Sequence, residues 1–168
     1  MSEVYDEKIK AACNKYFQDT DWRLLKAQLR AESNFVPNAV SQVGAMGIAQ
    51  FMPQTWEEVS DKMRLSAYSP TAFMPEYAIP ACAFYMNSLH EQWTAKREEI
   101  DRYMLTLASY NAGLGNILKA QRLADNASDY SSIMSKLHKV TGDDNARQTR
   151  EYAPKILGYW VGYCASGC

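Results

Sequence analysis

Apolar side chains recur at three- and four-residue spacing along almost the whole chain, and strand-like alternation is nearly absent. A chain patterned this way buries its apolar stripes by packing helix on helix. Tyr5, Ile9, Ala12, Cys13, Tyr16 and Phe17 mark a first helix over 5–17. Asp19, Thr20 and Asp21 offer N-caps for a second, which runs through Trp22, Leu25 and Leu29 to Glu32. Pro53 opens a short helix, PQTWEEVSDKM, from a first-turn position. Ile79, Cys82, Tyr85, Met86, Leu89 and Trp93 trace another, with Pro80 expected in its first turn. The clearest stripe is Ile100, Tyr103, Met104, Leu107 and Tyr110, stopped by Asn111-Ala112-Gly113. Short helices near 114–124 and 129–139 follow, then a longer one from about 147 to 163 with Pro154 expected in its first turn. The expected fold is mainly α, a single globular helical domain over residues 1–168. Its 168 residues suffice for a real core, and neither a repeat nor a linker divides them.

The helical pattern breaks once. Residues 33–52 are rich in turn-formers, among them Asn34, Pro37, Asn38, Gly44 and Gly47, and leave room for a small β-hairpin in 37–52. The same break is electrically silent. After Glu32 no Asp, Glu, Lys, Arg or His occurs until Glu57. At the chain's 22% charged residues, ordinary surface of that length would carry roughly five charges. Asn34, Asn38, Ser41, Gln42 and Gln50 instead offer neutral donors and acceptors, which suit a hydroxyl- and amide-bearing ligand. Trp56 and the tyrosines suit sugar faces. At about 100° per residue, Glu32 falls within about 20° of Leu25 and about 60° of Leu29, at the edge of the buried face. Burial there, and the negative end of the helix dipole, are expected to favour its protonated form, as a general acid requires.

Other classes of function fit poorly. Eighteen basic and nineteen acidic residues give a net charge of −1, which offers neither the basic face that nucleic acid needs nor a pull toward anionic membranes. No stretch approaches the ~18 apolar residues of a membrane span. MSEVYDEKIK has no apolar core or cleavage site, so synthesis in a cytosol without a signal peptide is expected. The four cysteines, Cys13, Cys82, Cys164 and Cys168, form no C-x-x-C pair, and His90 and His138 stand apart, so no metal site is expected. Buried thiols are the first reading of the cysteines and a disulfide the second. Gly44-Ala45-Met46-Gly47 lacks the Lys-Ser/Thr of a phosphate loop. No cofactor is implied.

Four blocks in order complete the reading. They are Glu32-Ser33-x-Phe35-x-Pro37-x-Ala39-x-Ser41, then Gly44-Ala45-x-Gly47-Ile48-x-Gln50-x-Met52-Pro53-x-Thr55, then Ala108-Ser109-Tyr110-Asn111-Ala112-Gly113, and last Gln148-Thr149-Arg150-Glu151-Tyr152. Together they closely resemble the lytic transglycosylases of the soluble-transglycosylase (SLT) type. The third block looks like that family's A-Y-N-A-G motif and the fourth like its E-T-R-x-Y segment. Gln148 replaces the usual acid, and Ala49 and Phe51 replace a common Met and an aliphatic residue.

The resemblance implies a lysozyme-like helical fold and a peptidoglycan glycan strand as partner. It implies cleavage of the β-1,4 bond between N-acetylmuramic acid and N-acetylglucosamine without water. Glu32 would act twice, first protonating the glycosidic oxygen and then taking a proton from the sugar's own C6 hydroxyl, which attacks C1. It further implies that Ser41 positions the N-acetyl group and that Gln50 and Met52 line the cleft. Tyr110 and Asn111 would touch sugar or hold the catalytic loop, and Tyr152 would hydrogen-bond near Glu32. Ser33 is expected to hold local backbone, and Tyr110 also continues the apolar stripe. A hydrolytic lysozyme is the first rival, with Asp143, Asp144 or Glu151 as second acid. A retired sugar-binding or virion part is the second. Substrate outside the cytosol and the lack of an export signal together suggest a bacteriophage wall-opening enzyme, with a secretion-system component as the alternative.

Overall fold

The structure, a computed structural model, describes residues 2–167. After a 3-10 turn at Ser2–Tyr5 come α1 (Asp6–Tyr16), α2 (Trp22–Ser33), α3 (Pro53–Lys62) and α4 (Pro75–His90). Then follow α5 (Glu99–Ala112), α6 (Leu114–Leu123), α7 (Tyr130–Lys136), α8 (His138–Thr141) and α9 (Asp143–Ala165). Among the described residues the only β pairing is two isolated bridges, Val40 with Met46 and Met46 with Phe51, in the segment that left room for a hairpin. The fold is helical, as the apolar spacing requires.

Two compact units make up the chain. One runs to Tyr85 and takes in the chain again from Ile156. The other is Met86–Lys155. In the second unit Trp93, Leu105, Ala108, Ile117, Ala120, Ile133, Met134, Leu137 and Ala146 form one buried cluster. They come from α5, α6, α7 and the start of α9, with Leu105 and Ala108 of α5 lying beside the predicted stripe rather than on it. Trp93 joins them, and its Nε1 donates to Ser109 Oγ (3.3 Å).

Both interior prolines correct the sequence reading. Pro80 lies inside α4, because that helix already begins at Pro75, and Trp93 lies beyond its end. Pro154 lies inside α9, which starts at Asp143 rather than near 147. An interior proline forfeits one backbone hydrogen bond and strains the turn. Around Pro80 that cost is offset by burial, since Ala78, Ile79, Ala81, Cys82 and Ala83 are all fully buried. The first turn of α9 escapes the apolar pattern because Ala146 is its one buried residue, while Asp143 and Asp144 suit the positive end of the helix. The helix expected over 129–139 divides at Leu137 into α7 and α8.

Cys13 and Cys82 are buried thiols, as first read. Burial, helped by the charge of Asp21, pushes the Cys13 thiol up to about 12, so it stays protonated. Cys164 is free and partly exposed, and Cys168 lies outside the described residues.

In the first unit α1 packs on α2, and α2 is buried over five consecutive residues, Leu25, Lys26, Ala27, Gln28 and Leu29. Burial on every side of the helix brings in Lys26, which the apolar stripe of Leu25 and Leu29 did not mark. Its side chain is 0% exposed and meets Asp6 of α1 at 2.8 Å. The Lys26 ammonium also lies 4.8 Å from the Tyr163 ring centroid and 5.5 Å from that of Trp22. One turn on, the Arg30 guanidinium stacks 4.2 Å from Tyr159. Trp22, Lys26 and Arg30 share one face of α2, and Tyr159 and Tyr163 one face of the C-terminal half of α9. Cation–π contact and the carboxylate together compensate the desolvated charge.

Removing one member of such a pair costs more than removing both. Asp6→Ala is expected to lose about 3–5 kcal/mol in urea unfolding. Asp6→Leu with Lys26→Met is expected to recover most of that loss. A single-variant loss below about 1 kcal/mol would mean that the pair behaves as a solvated surface bridge.

Candidate active site

The local sequence fixes where Glu32 stands. Asp21 caps α2, accepting from the Arg23 N–H at 3.0 Å and from Trp160 Nε1 at 2.9 Å. Burial raises the Asp21 carboxyl, but the bonds from Arg23 and Trp160 outweigh it and hold the group below the usual carboxylate range. At the other end Asn34 turns left-handed (φ 53°) and returns its N–H to the Arg30 carbonyl, which closes the helix. Glu32 is thereby held in the last turn of α2, half-buried. It is the sole ionisable side chain between Arg30 and Glu57.

The neutral segment then folds back on that helix end. Ser33 Oγ donates to the Ile48 carbonyl at 2.8 Å and accepts the Val36 N–H at 3.2 Å. Ser33 therefore holds backbone, as expected of it. Ser41 N–H reaches the Ala45 carbonyl at 3.0 Å, and Ser41 Oγ accepts the Ala45 N–H at 2.9 Å. The Ser41 hydroxyl keeps its own proton to donate. Gln50 has φ 51°, and its Nε2 donates to the Gly47 carbonyl at 2.9 Å and to that of Ala39 at 3.4 Å. Gln50 thus ties the loop across itself. Met52 stands 43% exposed just before α3.

Gly47 is the closest approach in the loop. Its φ is +75°, and a Cβ built there would lie 1.9 Å from the Ala72 carbonyl oxygen. Gly44 (φ +86°) has open space where its Cβ would be. Phe51 and Trp56 anchor the end of the segment, rings edge to face at 5.4 Å. Trp56 was expected to present a sugar face. Its ring is instead buried in the core, because Phe51 and the apolar side of α3 claim it.

Other predicted residues belong to the second unit. Tyr110 and Asn111 end α5, both half-buried. Thr149 Oγ1 donates to Asn111 Oδ1 at 2.8 Å, so the third and fourth sequence blocks meet side chain to side chain. Tyr152 is 8% exposed on α9. Asp143, Asp144 and Glu151 are exposed, and Asp144 pairs with Arg147 at 3.4 Å. Among the described residues no three His, Cys, Asp or Glu side chains gather where a metal could be held.

Residues 9–133 match the Transglycosylase SLT domain family. The chain belongs to that family. The match takes in the first three sequence blocks and ends before the fourth. The membrane-bound lytic murein transglycosylase F of Shewanella pealeana is 33% identical over 139 residues, 79% of this chain and 27% of that protein. The 70 kDa soluble lytic transglycosylase SLT70 of Escherichia coli shares the fold with a TM-score of 0.75 over 95% of this chain, at 23% identity. An inactive Glu-to-Gln mutant of lytic transglycosylase Slt from Pseudomonas aeruginosa superposes with a TM-score of 0.71 over 95% of this chain, at 25% identity. This SLT chain spans about a quarter of the length of each, 27% of the first and 24% of the two solved chains.

Sequence reasoning passed over several residues of this SLT domain. Lys26 and Gln28 carry no apolar signal, so their full burial was not visible. Ser109 was read only as part of a motif, yet its hydroxyl joins Trp93 to the Leu105 carbonyl.

The contrast between the two loop glycines is testable. Gly47→Ala combines left-handed strain with a clash against backbone and is expected to cost about 3 kcal/mol or more. Gly44→Ala meets only the strain, about 1–2 kcal/mol. Equal losses in thermal unfolding would contradict the close approach at Ala72.

Proposed function

We propose that this SLT domain cleaves the β-1,4 bond between N-acetylmuramic acid and N-acetylglucosamine in peptidoglycan, without water, with Glu32 as acid and then base. The observation that carries the reading is the place of Glu32 at the head of a charge-free stretch of sequence. It is half-buried at a helix end and followed by a folded segment with no other ionisable side chain. Most glycosidases need two carboxylates near the scissile bond. One suffices where the substrate brings its own nucleophile. Protonated Glu32 gives its proton to the glycosidic oxygen as the C1–O bond breaks. The Glu32 carboxylate then takes the proton of the muramic acid C6 hydroxyl, and O6 bonds to C1. The proton returns to Glu32, and a 1,6-anhydro ring replaces the reducing end. Intramolecular attack needs no second molecule to be bound and oriented. Family membership, and relatives named lytic transglycosylases, support the same reaction.

Neutral groups fit a neutral sugar. In this reading the Ser41 proton goes to the N-acetyl carbonyl, and Gln50 and Met52 shape the floor beneath the sugar. Asn111 is held in place by the Thr149 hydroxyl, which also lies within reach of the Asn145 carbonyl.

Digestion of purified murein sacculi by the wild type and by Glu32→Gln tests the proposal. The wild type is expected to release 1,6-anhydro-muropeptides. The variant is expected to release none while keeping the wild-type Tm. Retained activity in Glu32→Gln would remove Glu32 as catalyst. Wild-type products one water heavier, by about 18 Da, would mark a hydrolase instead.

A further inference from the structure

Gln28 stands on α2 one turn before Glu32, wholly buried. Neither its Oε1 nor its Nε2 has a hydrogen-bond partner among the described residues. An amide carries two donors and two acceptor lone pairs. Buried groups of that kind are satisfied almost without exception, by protein or by an ordered internal water. The adjacent buried residues of α2, Ala27 and Leu29, bring no polar side chain to it.

Its place in the helix gives the amide a use. Residues four apart lie one above the other on a helix, with Cβ atoms about 5–6 Å apart. Long helical side chains lean toward the N-terminus and cover the preceding turn. A glutamate at 32 therefore leans over the turn that carries Gln28. We propose that Gln28 is a positioning residue, whose amide holds the Glu32 carboxyl in place through one internal water.

The chemistry suits the amide. This inference rests on the reading of Glu32 as acid and then base. A protonated carboxyl donates one hydrogen bond, whereas a carboxylate only accepts. A lysine beneath it would favour the carboxylate, and a second carboxylate would favour the acid. An amide and a water each donate and accept, so the pair serves both states and leaves the carboxyl oriented throughout the cycle.

Two measurements test this. A high-resolution crystal structure of the wild-type chain is expected to show a water within about 3.2 Å of both the Gln28 amide and the Glu32 carboxyl. Gln28→Met keeps the side-chain volume and removes both polar atoms. It is expected to keep or raise Tm, to keep KM within about twofold, and to lower kcat on soluble glycan strands about 10-fold. A dry site, or an amide bonded elsewhere, overturns the proposal, as does wild-type kcat in Gln28→Met. Gln28→Leu guards against poor folding. If kcat falls only in proportion to lost folded protein in both variants, the role is structural and the proposal fails. If the wild type releases no anhydro product at all, the proposed reaction fails instead. The crystal structure then still decides whether Gln28 is linked to Glu32.

Discussion

One hydroxyl joins the helix that carries Glu32 to the neutral segment that follows it. Ser33 Oγ lies at the hinge, donating forward to Ile48 and accepting from Val36. The helix has just ended through a left-handed Asn34, and Phe35 is left-handed as well (φ 63°), so the chain reverses sharply at this point. A serine does here what an apolar residue cannot, because the reversed backbone needs both a donor and an acceptor. Glu32 owes its fixed place to this reversal on one side and to the Asp21 cap on the other.

The loop that returns is held by its own polar groups rather than by charge. Ser41 and Gln50 each spend part of their hydrogen-bonding capacity on loop backbone. Gly47 lets that backbone pass against Ala72, and Phe51 with Trp56 sinks its end into the core. A charged side chain in such a loop would need a partner or water. Several side chains of the loop, Val40 and Val43 among them, are exposed, so folding alone does not require the gap in charge over residues 33–56. On α2, the ring and carboxylate contacts of Lys26 compensate a charge in the helix's buried middle stretch, Leu25 to Leu29.

Much of this was legible in the residues. Helix existence followed from the apolar spacing, and the ends of α2 and α5 followed from Asp21, Asn34 and Gly113. The lone acid was visible because charge is counted directly from sequence. The starts of α4 and α9 were not, since both prolines were read as boundaries and local rules do not see the tertiary burial that keeps them inside helices. Trp56 was misread because an aromatic beside a polar loop looks the same whether it faces sugar or core. Lys26 and Gln28 were hidden for the opposite reason, because polar residues on an apolar helix are read as its exposed face. The meeting of Asn111 with Thr149, far apart in the chain, could be inferred only from the family likeness of their blocks.

The lone carboxylate and the absence of water from the bond-making step are one claim in two forms. Digesting sacculi in water enriched in oxygen-18 tests it most directly. The account predicts that newly formed muramic acid ends carry no heavy oxygen, since O6 of the same sugar closes on C1. Incorporation of one heavy oxygen at each new end would show that water attacks there, and that a single acid at position 32 is not a sufficient account of this site.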